Sequence, residues 1–292
     1  MRLGGMMHRP ESMEELDALV PALDTYGLSA IAAPKRIAEM SDDEAVAFGQ
    51  RAKELNVVVA EAHFLVNLLT RDRELRASRI ADLRQLLRKA DLMGCLGVIG
   101  FVGTIDPVDE IGKPDPYLFT EDCKREFRDV VLSVLDDLDL TTCHYMVEGS
   151  PKSFFYSPEE TAEFMASVSH PRFSLHLDQM NMVSQRSYFH TTELIDTTFK
   201  LLSPYIRGAH LKDIWWDWKY LFLKFDEVLI GDGVLDYPTL LRHLSELPED
   251  TPTLCEHLQT EGEYAINYSR LHKLAHDNHL SFVRRDGSRD SG

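Results

Sequence analysis

Along residues 11–26 the apolar positions Met13, Leu16, Leu19, Val20 and Leu23 recur at helical spacing and Gly27 follows, which predicts a helix closed by a glycine. A short apolar run at 30–33 comes next, then Ser41 and Asp42 as N-cap candidates for a helix ending near Leu55, then the β-branched run 57–59. The alternation continues. Helical periodicity at 79–93, 126–138, 158–168, 194–202, 237–244 and 264–275 is interleaved with short apolar runs at 97–102, 144–148, 173–178, 206–210 and 253–256. With 3–6 as a first strand, the chain reads as eight β-then-α units without a glycine- or proline-rich linker between them. Such a pattern predicts an α/β fold, a single (β/α)8 TIM barrel over 1–283, with 284–292 as a mobile C-terminal tail. A nucleotide-type glycine fingerprint is missing after the first strand, which speaks against an open dinucleotide-binding sheet.

Composition agrees with a large single core, since 44% of the 292 residues are hydrophobic and 27% charged. The balance of 48 acidic against 31 basic side chains gives a formal charge of −17, a field that repels nucleic acid and anionic lipid surfaces. Cys95, Cys123, Cys143 and Cys255 form no close pair, so neither a disulfide framework nor a thiolate zinc site is expected. Residues 1–10 lack the apolar core of a leader, and no stretch reaches the roughly 18 apolar residues of a membrane span. The expectation is a cytoplasmic protein without a membrane or nucleic-acid partner.

In a parallel barrel the carboxyl ends of the strands and the loops after them build the active site. Polar residues standing where an apolar run stops are therefore the ones to collect. Glu148, Asp178, His210 and Glu256 each end such a run in the last four strands. The separations Glu148 to Asp178 and Asp178 to His210 each match about one βα unit, roughly 30 residues, and as consecutive strand ends the four converge in one place. Three carboxylates in close quarters repel one another unless a cation intervenes. Together with an imidazole they suit one divalent ion, Mn2+ foremost, with Co2+, Mg2+ or Zn2+ as alternatives.

The runs Gly208-Ala209-His210-Leu211-Lys212-Asp213, Gly231-Asp232-Gly233-Val234-Leu235-Asp236-Tyr237 and Glu256-His257-Leu258 resemble the xylose isomerase-like sugar phosphate isomerase/epimerase superfamily. Its members include ketose epimerases, hydroxypyruvate isomerases, inosose dehydratases, C-glycoside deglycosidase subunits and endonuclease IV. The resemblance spans nearly the whole chain and implies the same four metal ligands, Glu148, Asp178, His210 and Glu256. It also implies Glu148 and Glu256 as the catalytic acid/base pair. The ketose epimerase branch has a histidine three residues after the aspartate and an arginine six after the ligand histidine; Asn181 and Trp216 stand there in this chain.

Further candidates flank the ligands. His176, two residues before Asp178, faces the same way one layer deeper. Glu61 and His63 end the third strand, where a substrate hydroxyl could be held. Lys212 and Asp213 follow the ligand histidine, where an ammonium would steady an enolate or bind an anionic group. Asn181 is placed to donate to a substrate oxygen. Trp215 and Trp216 open an aromatic-rich insertion, 214–225, that suits either a sugar or aglycone face or a subunit interface. The expected function is a metal-dependent isomerase or epimerase of a sugar or sugar derivative working through an enediolate. A lyase using the same proton abstraction, of the inosose dehydratase or 3-keto glycoside kind, is the alternative. A small carbohydrate substrate and a homo-oligomer, with room for a second subunit, complete the expectation.

Overall fold

The computed structural model describes residues 1–288. Eight strands close a parallel barrel: β1 (Arg2–Gly5), β2 (Ala30–Ala32), β3 (Val58–His63), β4 (Gly97–Gly100), β5 (His144–Glu148), β6 (Phe173–Asp178), β7 (Ile206–Leu211) and β10 (Pro252–Cys255). Each pairs with its predecessor in the ring, and β1 closes it by pairing with β10 through Arg2–Pro252, Leu3–Thr253, Gly4–Leu254 and Gly5–Cys255. Around it lie α1 (Met13–Tyr26), α2 (Asp42–Glu54), α3 (Arg73–Met93), α4 (Glu121–Leu135), α5 (Pro158–Val168), α6 (Thr191–Leu202), α7 (Tyr237–Ser245) and α8 (Glu261–Asp277). The predicted (β/α)8 barrel is therefore the observed one.

Local chemistry sets the helix ends. Gly27 adopts the left-handed conformation, φ 65°, that closes α1, and Ser41 with Glu44 forms a capping box at α2. Helix α3 begins six residues and α4 five residues earlier than their apolar periodicity predicts. The reason is capping: Asp72 accepts the N–H groups of Glu74 and Leu75, and Thr120 that of Cys123, so first turns with little apolar surface are held in place.

The aromatic-rich insertion is the tip of a hairpin: residues 214–216 and 225 are strand, and 217–224 form the loop between them. The hairpin is antiparallel, made of β8 (Asp213–Trp216) and β9 (Phe225–Val228), apart from the barrel sheet. Asp213 ties it down. Its buried carboxylate accepts the backbone N–H groups of Ile214, Gly231, Gly233 and Leu235 at 2.9–3.2 Å. A Cβ on Gly233 would overlap that carboxylate, which accounts for the glycine.

Of the expected tail, Arg284 and Ser288 close a turn at 3.0 Å, and Arg285 pairs with Asp24 at 2.9 Å. Residues 289–292 lie outside the described residues. All four cysteines are buried and free. Among the described residues no helix is long and apolar enough to cross a membrane.

Candidate metal centre and substrate pocket

Because β5, β6 and β7 are neighbours and β10 follows β7, the residues ending these strands form one arc at the barrel mouth. Asp178 stands directly beside His210 in the β6–β7 register. Glu148, Asp178, His210 and Glu256 each offer one ligand atom, and these atoms all lie within 4.8 Å of one another. His210 Nδ1 is 3.0 Å from Glu256 Oε2 and 3.7 Å from Glu148 Oε1. Lys212 enters the same cluster, its Nζ 2.9 Å from Asp178 Oδ2 and 2.7 Å from Glu256 Oε2.

Two observations bear on whether this set fits a metal ion. Asp178 Oδ2 and Glu256 Oε2 are buried with the Lys212 ammonium as their ion-pair partner, and His210 Nδ1 faces Glu256 Oε2, none of them in a well-formed hydrogen bond, which leaves lone pairs for a further partner between them. The charges also do not balance. Glu148, Asp178 and Glu256 bring three carboxylates against the one ammonium of Lys212, so negative charge is left over unless His210 is protonated or a cation is bound. Oxygen and nitrogen donors with an excess of negative charge fit a divalent ion.

Electrostatics sorts the carboxylates. Burial pushes the Glu148 carboxyl up, but His210, His176 and Lys212 outweigh it and hold it down at about 2. Asp178 moves the other way, raised by burial against the pull of Lys212. Burial lowers His210, yet Glu61 and Glu256 raise it well above the usual imidazole range. Lys212 is raised despite burial because Asp178 and Glu256 flank it.

Below the cluster lies a buried layer. Glu61 is fully buried, and its Oε1 accepts from His63 Nε2 at 2.9 Å and His210 Nε2 at 3.0 Å. His176 is also fully buried, 3.7 Å from Glu61 Oε2 and stacked edge-on against His210 at 4.2 Å. Burial and the neighbouring His210 push it down to about 3, so it is neutral.

Above the cluster opens a cavity of about 350 Å³ whose lining includes Glu148, Glu256, Lys212, Asn181 and His63. Asn181 Nδ2 donates to Glu148 Oε1 at 3.2 Å and so orients it. The opposite wall is apolar, built by Leu65, Ile99, Phe101, Val102, Ile111 and Leu118. A cleft of about 610 Å³ between helices, lined by Asp42, Lys89 and Asp139, shares no residue with the cluster.

Of the residues proposed from sequence to face substrate, His63, Asn181 and Lys212 line the cavity. His176 and Asp213 do not, being fully buried, the first under His210 and the second bonded to the hairpin backbone. Trp215 and Trp216 also lie outside the lining. Trp216 packs on Tyr188 and Phe225 at 5.7 Å, and Trp215 is 41% exposed on the hairpin.

Glu227 and His257 escaped the sequence reading. They pair at 3.0 Å across the cavity rim. His257 adjoins Glu256 and was visible in principle, whereas Glu227 arrives on β9, a strand with no barrel periodicity to announce it.

A family profile described as xylose isomerase-like TIM barrel matches residues 20–274. No curated protein sequence matches the chain. Among solved structures, 3-keto-D-glucoside 4-epimerase YcjR from E. coli is 13% identical, with 94% of this chain and 98% of that one covered and a TM-score of 0.65. The "probable 3-DHS dehydratase AsbF" from Bacillus anthracis is 13% identical over 93% and 98%, TM-score 0.68. Endonuclease IV from Thermus thermophilus is 16% identical over 95% and 100%, TM-score 0.68. Three named reactions on one barrel mean that likeness at this level speaks to the fold and leaves the reaction to the site.

Proposed function

The chain belongs to the xylose isomerase-like TIM barrel family, and from that premise we propose that it is a divalent-metal-dependent isomerase or epimerase of a sugar or sugar derivative. The observation that carries this reading is the placement of two glutamates. Glu148 on β5 and Glu256 after β10 stand at the two ends of the four-strand arc, with Asp178 and His210 between them. A substrate seated over the arc therefore meets a carboxylate on either side. One glutamate takes the proton from the carbon beside a carbonyl, and the other, in its protonated form, delivers a proton from the opposite face or to the neighbouring carbon. Glu148, held ionised and oriented by Asn181, is in the state a base requires. Lys212, buried against Asp178 and Glu256, keeps a fixed positive charge next to the oxyanion that develops. A divalent ion held by Glu148, Asp178, His210 and Glu256 would add the Lewis-acid charge that makes such a proton acidic. Mn2+ is the ion we favour for this donor set.

A lyase outcome from the same proton abstraction is the second reading, favoured by the apolar wall of Leu65, Phe101, Val102, Ile111 and Leu118, which suits a bulky apolar leaving group. Phosphodiester hydrolysis is disfavoured by the charge of −17.

Incubation of the Mn2+-loaded protein in D2O with ketoses, inososes and 3-keto glycosides tests the shared step. Deuterium is expected at the carbon next to the carbonyl of the accepted substrate. Unchanged product mass apart from that label marks an epimerase or isomerase, and loss of water or an aglycone marks the lyase. Absence of label across the panel, with the ion bound, contradicts the proposal.

A further inference from the structure

Glu61 stands apart from the four residues of the arc. It is a fully buried carboxylate on β3, across the barrel from β7, and a single oxygen of it meets two imidazoles: His63 Nε2 at 2.9 Å and His210 Nε2 at 3.0 Å. The two rings serve different places. His210 turns its other nitrogen, Nδ1, into the cluster with Glu148 and Glu256, while His63 belongs to the cavity wall.

We propose that Glu61 is a positioning residue that holds both imidazoles with their proton on Nε2, so that His210 presents an Nδ1 lone pair to the ion and His63 presents one to a substrate hydroxyl. The inference rests on the metal-dependent reading above. Its physical basis is that a carboxylate only accepts, so each nitrogen facing Glu61 Oε1 must carry the hydrogen, and in a neutral ring the other nitrogen is then an acceptor. A carboxylate behind a ligand imidazole also fixes ring orientation and raises its basicity.

The surroundings enforce the arrangement. His176 lies at 3.7 Å from Glu61 Oε2 and 4.2 Å from the His210 ring, closing the layer from below. Room for it comes from Gly208, where a Cβ would sit 3.0 Å from His176 Nδ1. Glu61, His63 and His210 also form a cluster by themselves. A second ion there would require His210 to ligate through both nitrogens, and the 2.9 and 3.0 Å separations are those of hydrogen bonds.

The test compares wild type, Glu61→Gln and Glu61→Leu after metal stripping, with Mn2+ affinity read by competition against a chelator. Leucine, which removes the acceptor, is expected to weaken binding by about 10–100-fold. Glutamine, which keeps a neutral acceptor oxygen, should fall between the two. The metal-free melting temperature controls for folding, and the Gln protein carries the test should the Leu protein not fold. Independently of any variant at Glu61, 15N spectra of the Zn2+-loaded wild type, assigned through His63→Asn and His210→Asn, should place the proton of both rings on Nε2. Unaltered Mn2+ affinity in a folded Glu61→Leu protein, a proton on Nδ1 of either ring, or two ions per chain would each overturn the inference. Wild type that binds no ion at all would instead remove the metal-dependent reading on which it rests.

Discussion

The two halves of the barrel interior are built from different chemistry. From β1 to β4 the strands bring small residues inward: Gly4, Ala30, Ala32, Ala60 and Gly97, with Ala30, Ala32 and Ala60 packing on Leu254 as a separate apolar cluster. From β5 to β7 and into β10 the interior carries Glu148, His176, Asp178, His210 and Glu256. Glu61 reaches from the small-residue half, with His63 beside it on β3, to bond His210 of the polar one. The difference teaches how the fold tolerates so many ionisable groups. One half packs closely and holds the ring shut, and its stability offsets the cost of a cluster that is satisfied only in company.

The polar half should be fragile in function and the apolar half in folding. Glu148→Gln and Glu256→Gln keep the shape of the side chain and lose the proton acceptor, so turnover should drop by about 10²–10⁴-fold. The melting temperature should hold. If Glu256→Gln turned over normally at saturating metal, that residue would not be part of the acid/base pair. On the other side, Gly4→Ala would place a methyl group against the Ala30 carbonyl oxygen. Overpacking of this kind costs about 1–3 kcal/mol, read as a shift of the denaturation midpoint. Turnover of the folded fraction should stay unchanged; a loss of activity at full stability would mean that the two halves are not separable.

Acid should weaken the fold through buried imidazoles. His144 sits at the foot of β5, bonded to Ser174 at 2.7 Å, and burial with Arg207 and Arg172 nearby pushes it down to about 4. His176 lies at about 3 for reasons of burial and His210. Both are neutral when folded, whereas the unfolded chain takes up protons below about 6.5. Stability tied to them is therefore complete above that pH and is lost as the pH falls toward 4. Melting curves between pH 7 and 4.5 should show the decline, and His144→Gln should make it shallower. An identical slope in that variant would assign the loss to other groups.

The smallest effect is expected on the hairpin. Trp215 is 41% exposed and lies outside the cavity lining, so Trp215→Ala should leave the Michaelis constant unaltered and stability within about 0.5 kcal/mol. A raised Michaelis constant would restore the tryptophan to the substrate wall.

Much of the barrel was legible because period-2 and period-3.6 patterns alternate without interruption, and a residue such as Asp178 that ends an apolar run announces its place at the mouth. Position on a strand also identified Glu61 and His63 as neighbours. Contacts made across the ring were not legible. The bond from Glu61 to His210 spans 149 positions, and nothing local predicts it. Asp213, read as a substrate contact because it follows the ligand histidine, turned out to organise a hairpin, since its partners Gly231, Gly233 and Leu235 lie on a return segment that carries no barrel periodicity. Beyond Ile99 on β4, the apolar wall from Phe101 to Leu118 belongs to a connection whose residues look ordinary until they are folded over the mouth.

The most direct measurement is a calorimetric titration of the stripped protein with Mn2+, followed by elemental analysis. One ion per chain is predicted, with binding lost or greatly weakened in Asp178→Asn and His210→Asn. A wild-type chain that takes up no divalent ion, or one whose binding is indifferent to both substitutions, would contradict the account.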